Sequence, residues 1–431
     1  MRPRYLAGII VIYLGAAVAW AILGASVYQR SEDSGSKLRT QVEGLWGTRL
    51  QQRAPTFVLQ ETTEARDGQG NLQTKTANHA LTPEATDIKV SLRYDPRRKG
   101  LMWYRTYQVE FDATYTLKHD FTNKPVLWAT FSYPAQGAAS YDQFSFNVAG
   151  QEASMDGNTP QGLVKSVAMP PGRETQVKVH YRTNGMDTWG YIFGEGVTQV
   201  KNFKLVADTN FQRYDFPPEA ISPTEKQETS SGAQLTWAYT SQLSSYHIGI
   251  EVPDKLQAGP TAARIAFFAP VGLLFFIAVI VIMGMMWGQN LHPMHYFFVG
   301  AGFFSFHLLM AYLADHLDFT LTFLICAAMS VVLVISYLIR AVGRRFALRV
   351  ALPAQILFLV VFSYSFFFKG YTGLAITIAS ILTLAVLMQV TAKVDWGNRF
   401  DTTKAPLPPA PPPPAAARPE ETPPSAHPRG E

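Results

Sequence analysis

Asp315, His316 and Asp318 fall within four positions at the end of an apolar run. Carboxylates and imidazole are metal ligands, and the group could also dock an outer domain. The simpler reading is a solvated turn that stops a helix. His307 lies within the same run, and Gln355 in a later one. A charged group near mid-bilayer costs roughly 2.5–3.5 kcal/mol on the insertion scale. His307 is therefore expected to be neutral and bonded to a neighbouring helix through Ser305 or Gln355. The functional alternative is a proton relay or a ligand path lined by His307 and Gln355. His292 and His295 flank Pro293 and precede Tyr296. Spacing of i, i+3 could pair the two imidazoles, but Pro suits the first helical turn, so a helix start with interfacial anchors is expected. Gly300 and Gly302 read as positions where helices approach closely.

Other chemistry is sparse. The chain holds no G-x-S-x-G, H-E-x-x-H or P-loop, and His180 and His247 sit isolated in strand-like segments. No catalytic residue, cofactor or metal site is assigned, and an enzyme is not expected. The single cysteine, Cys326, rules out an intramolecular disulfide and a cysteine zinc site. The net charge of +5 comes without a basic run interleaved with aromatics, so no nucleic-acid partner is expected.

The elements that must position these residues are mostly membrane spans. Charged residues make up 16% of the chain, against roughly 25% in typical soluble proteins, and the deficit is local. One apolar run, Tyr5–Val27, lies near the N-terminus behind Arg2 and Arg4 and reads as an uncleaved anchor. Five more follow near Ile265–Trp287, His295–Leu313, Phe319–Ile339, Ala351–Phe368 and Tyr371–Val390. Each approaches the ~20 residues that cross ~30 Å of hydrocarbon as helix. Lys and Arg favour the cytoplasmic side. Arg340, Arg344, Arg345 and Arg349 in one loop, and Lys393, Arg399 and Lys404 after the last run, place both termini inside and residues 28–264 outside.

The fold class is thus a membrane protein: six transmembrane α-helices plus a large β-rich, sandwich-like periplasmic domain. The expected divisions are an anchor over 1–28, the outer domain over 29–262, a five-helix bundle over 263–391 and a Pro-rich disordered tail over 392–431. In the outer domain, Leu38, Val42, Leu45, Trp46 and Leu50 form one helical stripe, predicting a helix over 31–53. Tyr104–Leu117, Asp142–Ala149, Thr175–Tyr181, Val200–Val206 and Gln234–Tyr239 read as strands, with turns at Asp156-Gly157-Asn158, Pro170-Pro171-Gly172 and Asn184-Gly185. Residues 62–80 read as a polar loop or edge hairpin.

The segment His292-Pro293-Met294-His295-Tyr296 with Phe297-Phe298-Val299-Gly300 resembles the CreD family of inner-membrane proteins. Leu313-Ala314-Asp315-His316-Leu317-Asp318-Phe319, Tyr371-Thr372-Gly373-Leu374 and Lys393-Val394-Asp395-Trp396 follow in the same order. Val42-Glu43-Gly44-Leu45-Trp46-Gly47 also fits. The resemblance implies a bacterial inner-membrane location, a link to envelope stress under a sensor kinase and response regulator, and no agreed enzymatic activity. The expected function is non-enzymatic, in envelope homeostasis or stress response. The outer domain would bind a protein, peptide or lipid, and the bilayer is the assured partner. The alternatives are a transporter or lipid-handling protein, and a membrane-bound hydrolase. The oligomeric state is not legible.

Overall fold

The N-terminal apolar run continues without a break into one helix, α1 (Pro3–Trp46). The computed structural model describes residues 3–66, 72–99, 102–121, 125–135, 139–159, 162–289, 291–368 and 370–392. The Pro-rich tail, Asp395 and Trp396 lie outside these. At 1.5 Å per residue α1 is roughly 66 Å long, about twice the hydrocarbon thickness, so its second half stands beyond the bilayer. A separate helix over 31–53 does not form. Gly35 alone, at about 1 kcal/mol, does not break the ladder, and the helix stops at Gly47. There φ is +141°, and a Cβ would lie 2.3 Å from the Asn184 carbonyl oxygen. Leu50 therefore falls in a strand, and Leu45 is 78% exposed. Leu38, Val42 and Trp46 still share a face and pack on Met102, Tyr104 and Met186.

Four further helices are long and apolar enough to cross a membrane: α2 (Ala258–Met286), α3 (Pro293–Leu313), α4 (Phe319–Ala341) and α5 (Arg344–Phe367). A last helix, α6 (Thr372–Thr391), carries a shorter apolar run, Ile376–Gln389. Apolar periodicity marks only the part of a helix that needs hydrocarbon, so charged turns are undercounted. α2 begins before Ile265, and Arg344, Arg345 and Arg349 sit on α5 rather than in a loop. Ile10, Val11, Leu14, Val18 and Ile22 face outward on α1, as Leu374, Ile381 and Leu384 do on α6. Exposed apolar side chains in this number suit lipid rather than water. Inside, Trp20, Phe276, Phe303, Phe306, Met310, Cys326 and Leu338 form one core.

Between α1 and α2 lie strands β1 (Leu50–Arg53), β2 (Thr56–Arg66), β3 (Leu72–Ala80), β4 (Ala85–Tyr94), β5 (Arg97–Lys99), β6 (Met102–Tyr104), β7 (Thr106–Leu117), β8 (Val126–Phe131) and β9 (Asp142–Val148). They continue as β10 (Gln151–Glu152), β11 (Asn158–Thr159), β12 (Gly162–Ala168), β13 (Thr175–Met186), β14 (Thr188–Ile192), β15 (Thr198–Thr209), β16 (Glu225–Glu228), β17 (Ala233–Ser244) and β18 (Ile248–Glu251). One sheet runs β10-β9-β13-β7-β4-β15-β17-β16 and a second β11-β12-β8-β2-β3. Their inner faces meet through Phe57 on Tyr115 and Phe131 on Phe146 and Tyr181. The alternation Val109, Phe111, Ala113, Tyr115, Leu117 supplies the centre of this core. Pairing is mostly antiparallel, but β4–β15 and β1–β14 are parallel. Residues 62–80 contribute to an edge hairpin, β2–β3. Asn184-Gly185 is not a turn. It continues β13 because the Tyr107 ring occupies the space a Cβ on Gly185 would need.

Candidate functional site at the membrane junction

Within the bundle His307 is buried, but not bonded as expected. Its Nδ1 donates to the Phe303 carbonyl one turn back, at 3.1 Å. A carbonyl only accepts, so Nδ1 carries the proton. Ser305 bonds the Gly302 carbonyl, and Gln355 Nε2 reaches Ser330 Oγ at 3.3 Å. Among the described residues His307 Nε2, Gln355 Oε1 and Trp20 Nε1 have no hydrogen-bond partner. Trp20 meets the imidazole edge-on, with ring centroids 5.5 Å apart. Sequence reading missed Trp20, because nothing local says which face of α1 turns inward. Gly302 is a close-packing position against Val334, whereas a Cβ on Gly300 would meet nothing within 4 Å.

At the end of α3 the three polar residues part company. Asp315 pairs with Arg30 of α1 at 3.3 Å, and Arg30 also lies over the Tyr312 ring. Asp318 caps α4, accepting from the Thr320 and Leu321 amides, and His316 is exposed. The trio thus makes a cap and an inter-helix pair. At the opposite edge His292 caps α3, with Pro293 in its first turn. His295 Nδ1 lies 2.7 Å from the Tyr337 hydroxyl of α4, and Tyr296 is buried.

One charge cluster among the described residues carries no mark in the local sequence. Asp187 sits between β13 and β14 with φ +68°, a left-handed conformation that Asp tolerates better than most residues. Its side chain is 4% exposed and takes ion pairs from Arg39 of α1 and from Arg105, the latter at 3.1 Å. Arg105 also reaches Glu251 of β18, at 2.5 Å. The Asp187 amide donates to the Arg105 carbonyl, and its own carbonyl accepts from Val252. Burial would lower the Arg105 pKa, but the bonds to Glu251 and Asp187 outweigh it and hold the pKa above the ordinary arginine value. Four segments distant in sequence meet here: the outward end of α1, the β6–β7 link, the β13–β14 turn and the strand leading to α2. No local motif marks them. The arrangement can transmit position between the outer domain and both helices that carry it.

On the outer sheet His180 is not isolated. Its Nδ1 lies 2.7 Å from Asp112 across β13–β7, and Arg182 bonds Glu110 two residues along. One ligand atom each from Glu110, Asp112 and His180 lie within 4.8 Å of one another, so the trio could hold a metal ion. Arg182 already neutralises part of that charge.

The fold defines a multi-span membrane protein whose β-rich domain is inserted between its first and second helices. Residues 224–397 match the family described as "Inner membrane protein CreD". No curated protein matches the chain. Among solved structures, a Legionella pneumophila protein described as nutrient binding is 7% identical, with a TM-score of 0.27, over 46% of this chain and 74% of its own. Legionella pneumophila aminopeptidase A in complex with aspartic acid is 12% identical, with a TM-score of 0.24, over 40% of this chain and 21% of its own. Likeness at that level assigns neither fold nor function.

Proposed function

We propose that this protein is CreD-like over its whole length and has a non-enzymatic role in envelope homeostasis or stress response. Its β domain lies on the periplasmic side, with both termini cytoplasmic, and binds an envelope protein, peptide or lipid. The single observation that carries this reading is the Asp187 network. It ties α1 to the β domain and to the strand that leads into α2, so a change in the domain would shift both helices. The test is complementation of a deletion strain under detergent or a cell-wall antibiotic, at matched protein levels. Wild type should rescue and Asp187→Asn should not, while a triple variant, His307→Ala with Asp315→Ala and His316→Ala, should rescue. Failure of the wild type to rescue any defect would remove the envelope reading.

A second reading, transport, is favoured by the unpartnered polar atoms of His307 and Gln355 inside the bundle. Intramembrane polar groups mark substrate or ion pathways. His307→Ala alone abolishing rescue, in a variant that accumulates normally, would move transport to the front.

A further inference from the structure

Four arginines stand at the edge of the bundle opposite the β domain. Arg340 lies in the last turn of α4, and Arg344, Arg345 and Arg349 lie in the first turns of α5. All four are exposed, and among the described residues none takes part in a salt bridge. The chain holds no Asp or Glu from Ala258 to Ala314 or from Phe319 to Ala392. Two of the arginines also break a local rule. The first turn of a helix is the positive end of its dipole and favours Asp or Glu, yet α5 opens with Arg344 and Arg345. Gly343 at the N-cap, with φ +120°, brings no side chain to cap the free amides. Such a helix start is electrostatically unbalanced until an anion joins it. Orienting the spans asks only for positive charge, which lysine supplies as well as arginine. The planar fork of arginine adds paired hydrogen bonds to phosphate oxygens.

The depth suits a lipid. Trp287, just past the end of α2, is half-exposed and meets the Phe346 ring edge-on, with centroids 6.0 Å apart. Tryptophan is enriched where membrane meets water. From Arg344 to Arg349 the helix advances about 7 Å at about 1.5 Å per residue, and the headgroup zone is roughly 5–7 Å per leaflet. Arg345 and Arg349, four apart, are neighbours on the helix surface. Leu348 and Ile356 are exposed along the same helix and offer apolar surface on the hydrocarbon side of the arginines.

We propose that the α4–α5 corner binds an anionic phospholipid of the leaflet in which it stands. The lipid phosphodiester accepts hydrogen bonds from the opening amides of α5 and from the arginine forks beside them. Its acyl chains run down past Leu348 and Ile356. A zwitterionic lipid is disfavoured, because its ammonium meets arginines and finds no carboxylate in these segments. The inference depends on α4 and α5 crossing the bilayer, not on the stress-response role.

The test uses the full-length protein in nanodiscs containing equal parts of phosphatidylglycerol, phosphatidylethanolamine and phosphatidylcholine. Lipids retained after detergent extraction are counted by mass spectrometry. Wild type should retain phosphatidylglycerol at least about five-fold over either other lipid. Arg344→Gln, Arg345→Gln and Arg349→Gln together should bring that ratio close to one. Lys at the same three positions keeps the charge that orients the spans, so that variant should insert as wild type does while its ratio falls below about two. Lys89→Gln, Lys178→Gln and Lys204→Gln, all exposed on the β domain, remove equal charge elsewhere and should leave the ratio at the wild-type value. Equal retention of all three lipids by the wild type would overturn the proposal, as would an unchanged ratio in the Gln variant. A full ratio in the Lys variant would also overturn it, since diffuse positive charge would then suffice. So would an equal fall in the β-domain variant. Release of the retained phosphatidylglycerol by millimolar inorganic phosphate would show that a free phosphate compound, not a bilayer lipid, is the ligand.

Discussion

Asp187 is a short side chain holding Arg39 and Arg105, with Arg49 a longer third partner at 3.9 Å, and its neutral isostere separates charge from shape. Asp187→Asn leaves Arg39 and Arg105 facing each other across an uncharged amide. Breaking a buried pair costs roughly 3–5 kcal/mol, and the part-exposed arginines reduce this to about 2–3 kcal/mol. Urea denaturation in detergent should show the loss, and protease digestion should release the outer domain sooner. The exposed pair Glu110–Arg182 gives a smaller effect with a defined sign. The Arg182 hydrogen bond holds the Glu110 carboxyl below the ordinary glutamate value. Its contribution is present above that value and is lost as pH falls through the folded-state value. Denaturation midpoints of Arg182→Gln and wild type should therefore differ at neutral pH and converge in acid. Curves that stay parallel at all pH values would assign the effect to packing. Of the chemistry-bearing residues, Pro293 was legible in its local role, in a first helical turn, whereas His292 and Asp318, expected as an interfacial anchor and part of a solvated turn, turned out to cap α3 and α4. Asp315 was legible as polar, but its partner Arg30 lies 285 positions away, which no local pattern reports.

Two glycines decide how the elements meet. Gly47 ends α1 in a backbone conformation closed to other residues and sits against the Asn184 carbonyl. Gly47→Ala should cost about 1–3 kcal/mol from backbone strain alone, seen as reduced accumulation and a lower melting temperature. Wild-type stability in that variant would mean that the α1–β1 corner relaxes freely. Gly302→Leu drives a side chain into Val334 of α4, and overpacking of this kind costs typically 1–3 kcal/mol. Gly300→Ala, with nothing within 4 Å of its Cβ, should be nearly neutral, so the two variants form an internal control. The α1 stripe was legible as far as Trp46, because Leu38, Val42 and Trp46 repeat on one helical face. Its end was not, since Gly47 is a helix stop only because of the strand backbone beside it. Asn184-Gly185 misled for a similar reason. The dipeptide favours turns, but the Tyr107 ring needs glycine there within a strand.

For the molecule as a whole, the proposed orientation can be tested with the single native cysteine removed. In a Cys326→Ser background, cysteines introduced at Ser230 and at Gly343 should react with an impermeant maleimide from opposite sides. Labelling of both from outside intact cells would refute the arrangement. Hydropathy and charge patterning by themselves determined that the chain carries apolar helices at both ends of a β-rich domain. Both signals are carried by composition over ten or twenty residues, because hydrocarbon and a pleated sheet each impose a short period on side-chain type. The motif segments around His292–Gly300 and Leu313–Phe319 pointed to the same family as the match over residues 224–397. Only the tertiary structure decided that α1 runs unbroken from bilayer into domain, that Trp20 meets His307, and that Asp187 joins the two helices bearing the domain. The contacts of Trp20 and Asp187 link positions more than sixty residues apart, and their geometry follows from how whole elements pack rather than from any local preference of the chain.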